Sequence, residues 1–338
     1  MHRWKGRGPP DYLAGVPKEC AHWIIARRAA ASCAGPRVRA LLRRWEPLYL
    51  LGSVLPDTAF YAGAGRHRAR LLEVARTLHG SRGGDPLFFL ERAAGDREPS
   101  EPRVALALGA VCHIMADSQF HPIVYHFCGL EEEHRGALRR HYLFEGWLDV
   151  HYRSLESPPG RGRLASILRS APLPLREVAA AAHGLFFDGP ASQRSVAAAL
   201  RRHAGIQRLF YSRVAAAAAA AVRRVASAAG AYEALAYPRD EGAVPFFSKP
   251  FSYRHPLTGE ERTEALADVE GRVTALMRQA FDVFEGGTPR RAAAARVPRL
   301  SAETGGAPSA RPRSESLRWF DVADVDELLG VRSRGAAR

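Results

Sequence analysis

The sequence is organised around the segment Leu106-Ala-Leu-Gly-Ala-Val-Cys-His113-Ile-Met-Ala-Asp117-Ser-Gln-Phe-His121-Pro122. In this apolar stretch, a side chain able to bind a metal recurs at every fourth residue. Four residues of an α-helix advance about 400°, so each such side chain lies only about 40° around the helix from the one before. His113, Asp117 and His121 are therefore predicted to form one stripe along a helix.

A second segment repeats the pattern and reads His141-Tyr-Leu-Phe-Glu145-Gly-Trp-Leu-Asp149. A single His on an apolar face is usually a core residue whose hydrogen bonds are satisfied. Two matched stripes of ionisable residues are different, because burying several such groups costs multiple kcal/mol unless they pair or coordinate a metal. The two stripes therefore predict a metal site.

Helical periodicity and the near absence of alternating strand patterns predict an all-α fold. The stripes lie on helices expected over about 102–120 and 131–155, and the first should end at His121 because Pro122 disfavours a helical residue before it. Residues 50–65 are predicted to form a loop, and 260–285 a final helix. The composition after residue 285 is rich in Gly, Pro, Ser, Ala and Arg, which predicts a domain over 1–285 and a disordered basic tail over 286–338. Within the tail, 317–329 has the apolar residues for a short helix.

Composition and charge limit the class of protein. The chain has 338 residues, 46% of them hydrophobic, which is enough for a large core. Its net charge of +14 could indicate nucleic-acid binding, but only three of its 49 basic residues are lysines and no dense basic run is interleaved with aromatics. This arginine skew, beside long alanine runs, is typical of GC-rich coding, so no specific nucleic-acid partner is expected.

The cysteines and the N-terminal residues bear on the compartment. The four cysteines have no CxxC pairing, which is typical of reduced thiols in a cytosolic protein. The N-terminal residues show no signal-peptide pattern, and no apolar run approaches the roughly 20 residues of a membrane span. We therefore expect a cytoplasmic protein without a transmembrane segment.

Further candidate ligands precede the two stripes. His22 lies near the start of a predicted helix, Asp57 follows a proline in a tight turn, and His79 precedes a glycine that is expected to end a helix. His67 is a rival of His79. Imidazoles and carboxylates without cysteine suit zinc in a catalytic role, although iron and manganese accept the same donors.

Three known metal-binding patterns do not match. The sequence has no His-Asp dipeptide, as metal phosphohydrolases of the HD type require, and no His-Glu-x-x-His motif of zinc proteases. A ferritin-like di-iron site needs two Glu-x-x-His motifs. Only Glu131-x-x-His134 is present, in a charged segment that is expected to be solvated.

The order of the candidate ligands resembles that of the zinc-dependent phospholipase C family over about residues 17–149. The motifs that carry the resemblance are His22, Leu55-Pro56-Asp57, His79, His113-x-x-x-Asp117-x-x-x-His121-Pro122 and His141-x-x-x-Glu145. The resemblance implies that residues 1–285 form a multi-helix bundle of the phospholipase C/P1 nuclease type, which binds up to three zinc ions.

The resemblance also implies which residues bind each ion. The first zinc would be held by Asp57, His79, His113 and Asp117, the second by His121, His141 and Glu145, and the third by His22 and Asp117. His126 and His134 are rivals of His121, which follows Asp117 more closely than in the secreted enzymes. Those enzymes complete the third site with an N-terminal Trp, whereas Trp4 and Trp23 are internal here, so two or three zinc ions are predicted.

The activity implied is metal-assisted hydrolysis of a phospholipid or another phosphodiester, with Asp57 orienting or deprotonating the attacking water. Asp149, one turn beyond Glu145, is expected either to orient a ligating imidazole or to pair two helices. A nuclease or phosphatase on the same scaffold, and a metal-binding protein without turnover, remain alternatives. A nuclease should have aromatic side chains beside basic residues at the site.

Overall fold

The computed structural model describes residues 19–81, 83–95, 100–130, 136–187, 192–223, 234–238, 242–286, 289–308, 310 and 327–330. Within these ranges the chain forms fourteen α-helices and one two-stranded antiparallel sheet, so the all-α prediction is confirmed. The predictions for Trp4, for Glu131 and His134, and for most of the segment 317–329 lie outside the described residues.

The helices that build the centre of the molecule come first along the chain. They are α1 (Glu19–Cys33), α2 (Pro36–Arg44), α3 (Glu46–Gly52), α4 (Leu55–Thr58), α5 (Arg68–Leu78), α6 (Phe88–Gly95), α7 (Glu101–Cys128) and α8 (Ala137–Leu155).

The remaining elements cover this centre. The helices are α9 (Leu164–Ser170), α10 (Leu175–Phe186), α11 (Gln193–Phe210), α12 (Arg213–Arg223), α13 (Leu266–Glu285) and α14 (Arg290–Ala294). The strands are β1 (Phe251–Arg254) and β2 (Glu261–Glu264), and short 3₁₀ turns occupy Ala59–Tyr61, Pro159–Gly162 and Pro245–Ser248.

Helix α7 is the core of the molecule. It is buried on nearly all sides and packs against α1, α3, α6, α8, α10 and α13, as expected of a helix surrounded by others. Its contact with α3 is backbone to backbone, because a Cβ atom on Gly109 would lie 2.1 Å from the carbonyl oxygen of Tyr49 and one on Gly52 would lie 2.3 Å from that of Leu106. Among the described helices, none is long and apolar enough to cross a membrane.

The prediction that the first stripe helix ends before Pro122 is wrong. Helix α7 continues through this proline to Cys128. A proline inside a helix loses one backbone hydrogen bond and crowds the carbonyl four residues earlier, at a cost of about 3 kcal/mol. The last turns of α7 bury Ile123, Val124 and Phe127 in the core, which offsets that cost.

The loop predicted over 50–65 is wrong in part. Its first residues complete α3, and Leu55–Thr58 form the short helix α4, which continues into the 3₁₀ turn Ala59–Tyr61. Pro56 occupies the first turn of α4, where a missing backbone N–H costs nothing. All these residues are buried, so this segment is part of the core.

The helix predicted over 260–285 begins later than expected, at Leu266. Residues 261–264 instead form β2, which pairs with β1 through Phe251 opposite Glu264. The strands are only four residues long, too short for a clear alternating pattern in the sequence.

Part of the expected tail packs against the domain. Residues 290–294 form α14, and Ala294, Val297 and Ala302 are buried. The packing uses small side chains and backbone contacts, which a composition-based prediction does not detect. Residue 309 and residues 311–326 and 331–338 lie outside the described part of the chain, and disorder there stays a prediction.

Candidate metal centre

The stripe on α7 leads from the core towards a pocket. The exposed fraction of its residues rises from 0% at His113 through 4% at Asp117 to 8% at His121. Spacing by four residues places the three side chains on one face, as the sequence predicted. Around this face the structure brings together three groups of metal-competent side chains, each with its ligand atoms within 4.8 Å of one another.

The first group consists of Asp57, His79 and His113. Asp57 lies on α4, which α3 positions against α7, and His79 is the residue that ends α5. The Nε2 atoms of His79 and His113 lie 3.0 and 3.5 Å from the two carboxylate oxygens of Asp57.

The second group consists of His121, His141 and Glu145. Helices α7 and α8 supply it, and the i, i+4 spacing on α8 places His141 and Glu145 side by side. The Oε1 atom of Glu145 lies 2.8 Å from Nε2 of His141 and 3.4 Å from Nε2 of His121.

The third group adds His22 of α1 to His113 and Asp117. The two oxygens of Asp117 diverge, with Oδ1 lying 3.3 Å from Nε2 of His22 and Oδ2 lying 3.1 Å from Nε2 of His113. Asp117 therefore stands between the first and third groups, in the position of a bridging carboxylate.

Backbone carbonyls fix the orientation of three of the imidazoles. Nδ1 of His79 donates to the carbonyl of Ala75 at 2.7 Å, and Nδ1 of His113 donates to the carbonyl of Ser53 at 3.0 Å. Likewise, Nδ1 of His121 donates to the carbonyl of Ala302 at 2.7 Å. A carbonyl oxygen only accepts, so each Nδ1 carries the hydrogen. In the neutral ring, the Nε2 lone pair then faces the carboxylates, which is how proteins orient metal-ligating histidines.

The arrangement of these atoms fits a cation better than it fits hydrogen bonds alone. Nε2 of His113 and Oδ2 of Asp117 are buried and close, yet neither has a hydrogen-bond partner. The second carboxylate oxygen of Glu145 is also buried without one. Since native proteins pair nearly all such atoms, orphans on converging donors indicate a ligand between them.

The electrostatics of the groups favour positive charge. Burial opposes the imidazolium form of His113, but the carboxylates of Asp117 and Asp57 outweigh burial and raise the pKa of His113 to about 9. Burial likewise opposes the ionised form of Glu145, yet the neighbouring His141 and His121 lower the pKa of Glu145 to about 2. The Glu145 carboxylate therefore stays ionised at neutral pH and attracts cations.

The other shifts agree with this picture. The pKa of Asp117 is held well below its usual range, because three imidazoles outweigh the effect of burial. For His22 burial dominates and lowers the pKa, which favours the neutral ring that a metal requires. His79 and His121 have raised pKa values, since their carboxylate neighbours overcome burial.

The donor set suits zinc. It contains imidazole nitrogens and carboxylate oxygens, and each group offers three ligand atoms. Three protein ligands with a fourth position for water or substrate are the usual arrangement at catalytic zinc sites.

A small pocket of about 30 Å³ opens beside the second and third groups. Its volume is enough for one or two water molecules. Its polar lining consists of His22, Asp117, His121 and Glu145, and its apolar lining of Ala21, Ile25, Ala116, Phe120, Val124 and Leu148. Asp57 is not among these residues, and neither is any Lys or Arg of the described part of the chain.

Two of the rivals left open by the sequence, His67 and His126, lie elsewhere, and the third, His134, is outside the described residues. His67 precedes α5 and accepts a hydrogen bond from its neighbour Arg66. His126 accepts one from the backbone N–H of Arg254. Neither is a member of the three groups.

Asp149 pairs two helices, which is one of the two roles expected from the sequence. Its two carboxylate oxygens accept hydrogen bonds from the backbone N–H groups of Cys20 and Ala21, at 3.1 and 2.7 Å. A carboxylate at a helix N-terminus satisfies N–H groups that the helix leaves unpaired. Asp149 thereby anchors the first turn of α1 directly before His22.

A buried polar network beside the centre was not predicted from the sequence. Nε2 and Nδ1 of His203 lie 3.0 Å from Glu19 and from the hydroxyl of Thr58, and Tyr237 donates to Glu19 at 2.7 Å. Thr58 follows Asp57 in the chain, so the network ties α4 to α1 and α11. These residues are far apart in sequence and have no local pattern that could have identified them.

The fold is all-α, and its core contains three buried groups of side chains with the donor atoms that divalent cations require. The family model described as zinc dependent phospholipase C matches residues 21–171, and this segment contains all eight predicted ligands. Over these residues, the match confirms the resemblance to this family. No curated protein and no solved structure matches the chain significantly.

Proposed function

We propose that the protein is a zinc-dependent hydrolase of phosphate esters with phospholipase C-like activity. The observation that carries this proposal is the convergence of eight metal-competent side chains from α1, α4, α7, α8 and the end of α5 in three buried groups. The family match over the same residues supports zinc as the metal and a phospholipid as the substrate.

The three groups would hold two or three zinc ions. Asp57, His79 and His113 would bind the first ion with one oxygen of Asp117, and His121, His141 and Glu145 would bind the second. His22 would join the other oxygen of Asp117 at the third. When bound, zinc lowers the pKa of a coordinated water to about 7 and polarises phosphoryl oxygens.

The chain itself supplies orientation and charge. The carbonyls of Ser53, Ala75 and Ala302 keep three imidazoles in the tautomer that presents Nε2 to the centre. Asp117, with its diverging oxygens, holds the first and third groups at a fixed separation. These contacts exist before substrate arrives, so little reorganisation is needed during the reaction.

A carboxylate must also receive the proton of the attacking water. Asp57 is the residue that the family resemblance favours, although both its oxygens face imidazoles and it is not among the residues that line the pocket. Asp117 and Glu145 are the carboxylates that line the pocket. Asp57 is the residue that we propose as the acceptor of this proton. Its substitution by Asn, with zinc in excess, separates the transfer of the proton from the binding of zinc.

The pocket favours a lipid over a nucleic acid. Its walls beside the metal-competent residues are aliphatic and aromatic, through Ile25, Phe120, Val124 and Leu148, and the described lining contains no Lys or Arg. Binding of single-stranded nucleic acid needs basic residues along the path of the phosphates and aromatic side chains on which the bases stack. The apolar wall instead suits the apolar part of a phospholipid that lies against the mouth of the pocket, since the pocket itself has room only for water or a small polar group.

The test begins with zinc content. Protein purified without chelator is analysed by mass spectrometry and then assayed on phosphatidylcholine in mixed micelles, on single-stranded DNA and on bis(4-nitrophenyl) phosphate. We expect two or three zinc ions per chain and release of diacylglycerol. Hydrolysis of DNA alone would identify a nuclease instead, and bound zinc without hydrolysis of any substrate would indicate a metal-binding protein without turnover. A chain without zinc would refute the proposal.

A further inference from the structure

A short turn, far in sequence from the predicted zinc ligands, contacts residues of the first and second groups. It comprises Ser301 to Gly305 and is closed by hydrogen bonds from the N–H of Gly305 to the carbonyl of Ser301 (2.9 Å) and from the N–H of Ser301 to the carbonyl of Gly306 (2.8 Å). Within it, Ser301 and Ala302 are almost completely buried. We call these residues the 301–305 turn. They lie well beyond the segment that matches the zinc-dependent phospholipase C family.

The first contact of the turn is with His121. The carbonyl of Ala302 accepts the hydrogen on Nδ1 of His121 at 2.7 Å, while Nε2 of the same ring lies 3.4 Å from Glu145. The ring is thereby held from both sides. Because its Nδ1 partner is a carbonyl, the nitrogen left to bind a metal is Nε2, the atom that faces the second group.

The second contact is with the end of α5, which carries His79. The hydroxyl of Ser301 donates to the backbone carbonyl of His79 at 3.0 Å, which satisfies one of the carbonyls that a helix leaves unpaired at its C-terminus. Gly80 has φ of +73°, and a Cβ atom there would lie 2.9 Å from the Cα of Ser301. The Ser81 hydroxyl also donates to the carboxylate of Glu303.

The third contact is with the proline in α7. Pro122 has no N–H to offer the carbonyl of Ser118, and Gly305 lies against that carbonyl. Gly305 has φ of +70°, and a Cβ atom on it would lie 2.3 Å from the Ser118 oxygen and 3.2 Å from Pro122. A glycine is therefore required there for two reasons, the backbone conformation and the space.

We propose that the 301–305 turn is a positioning element of the metal centre, which fixes the His121 imidazole through the Ala302 carbonyl and the His79 end of α5 through Ser301. This inference rests on the proposed zinc centre. It makes the second group depend on residues outside the family segment, and it assigns the turn a role in metal affinity that is distinct from packing.

The experiment compares Gly305→Ala with Gly259→Ala. Gly259 has nearly the same backbone conformation, with φ of +74°, but a Cβ atom there meets nothing within 4 Å. Both variants therefore introduce the same left-handed strain, and only Gly305→Ala pushes the turn away from α7. Zinc affinities are measured by competition with a chromophoric chelator, and the unfolding temperature is measured on zinc-free protein.

We expect Gly305→Ala to bind one zinc ion about 10–100-fold more weakly than the wild type, the usual effect of losing the group that orients a ligating imidazole. Gly259→Ala should keep wild-type affinities. Zinc-free Gly305→Ala should unfold at a lower temperature than zinc-free Gly259→Ala, because only its Cβ atom meets the backbone of α7. Wild-type affinities in Gly305→Ala would overturn the inference. So would an equal weakening of every zinc ion, because that result describes a general packing defect and not the loss of one oriented imidazole.

Two further measurements keep the outcome interpretable. If Gly305→Ala does not fold, Ser301→Ala is used, and we expect it to weaken zinc binding several-fold while unchanged affinities overturn the inference. The zinc content of the wild type distinguishes the two proposals. A wild-type chain without zinc refutes the zinc centre and the inference together. A wild type that binds zinc, with a Gly305→Ala variant of unchanged zinc affinity, refutes the inference alone.

Discussion

Replacing Asp117 by Asn gives the sharpest test of the metal centre. The substitution keeps the shape of the side chain and removes the charge that stands between two groups. Asp117 lies 3.1 Å from Nε2 of His113 and 3.3 Å from Nε2 of His22, and it is 4% exposed. Solvent therefore screens its charge little, and the effect on a bound cation should be large.

The size of the effect follows from the pKa of His113. The carboxylates of Asp117 and Asp57 raise this pKa from 6.5 to about 9 despite burial. A shift of this size corresponds to between about 3 and 4 kcal/mol of stabilisation of one positive charge. If the two carboxylates contribute equally, losing Asp117 costs about half of this, or slightly under about 2 kcal/mol, for a single charge, which is roughly a 20-fold loss of affinity. A directly coordinated divalent cation should lose at least as much.

The assay is zinc competition with a chelator at pH 7.5, followed by hydrolysis of phosphatidylcholine. We expect Asp117→Asn to bind its weakest zinc ion at least 20-fold less tightly and to lose most of its activity at limiting zinc. The control is Asp282→Asn, which removes an exposed carboxylate of α13 and should leave both measurements unchanged. An Asp117→Asn variant with wild-type zinc affinity would show that this carboxylate does not touch the metal, and the bridging role would have to be abandoned.

Three further predictions follow from the same geometry. His79→Ala should lower the zinc affinity by about 10-fold or more. His67→Ala, the control at the alternative ligand, should leave the zinc affinity unchanged. Equal zinc affinities in the two variants would show that His79 is not a ligand. Asp57→Asn should reduce turnover even when excess zinc restores the wild-type zinc content, and a turnover that recovers fully with zinc would mean that Asp57 serves only as a ligand. In zinc-free protein, the raised pKa of His113 stabilises the folded state. This stabilisation is complete below pH 6.5 and is lost as the pH rises through about 9, so the free energy of unfolding should fall by up to about 3 kcal/mol over that range. Chemical denaturation in the presence of chelator measures this, and a flat profile would contradict the assigned charge pairs.

The part of the centre that could be predicted from the sequence is the part set by helical geometry. The spacing of His113, Asp117 and His121 fixes a common face whatever the rest of the chain does. The same holds for His141 and Glu145. Family resemblance then supplied ligands that no periodicity connects, since Asp57 and His79 join the first group only through the packing of α3, α4 and α5 around α7.

The groups that orient the ligands could not be predicted in the same way. The carbonyls of Ser53, Ala75 and Ala302 belong to the backbone, so the identity of these residues carries no signal of their role. Pro122 was misread because local rules place a helix end before proline, while the burial of the following turns decides otherwise. The composition of residues 301–305 predicts part of a disordered tail, because small side chains bury little surface. The same small side chains allow the backbone of the turn to approach α7 closely.

The contact between Gly52 and Gly109 has a consequence for the whole centre. With no side chain between them, the axes of α3 and α7 approach as closely as two backbones allow. This distance sets the positions of Ser53, whose carbonyl accepts from His113, and of Asp57 on the next helix relative to the stripe on α7. Helix α7 contributes to all three groups. A methyl group wedged into this junction would therefore displace every ligand set in one movement, although it lies outside all of them.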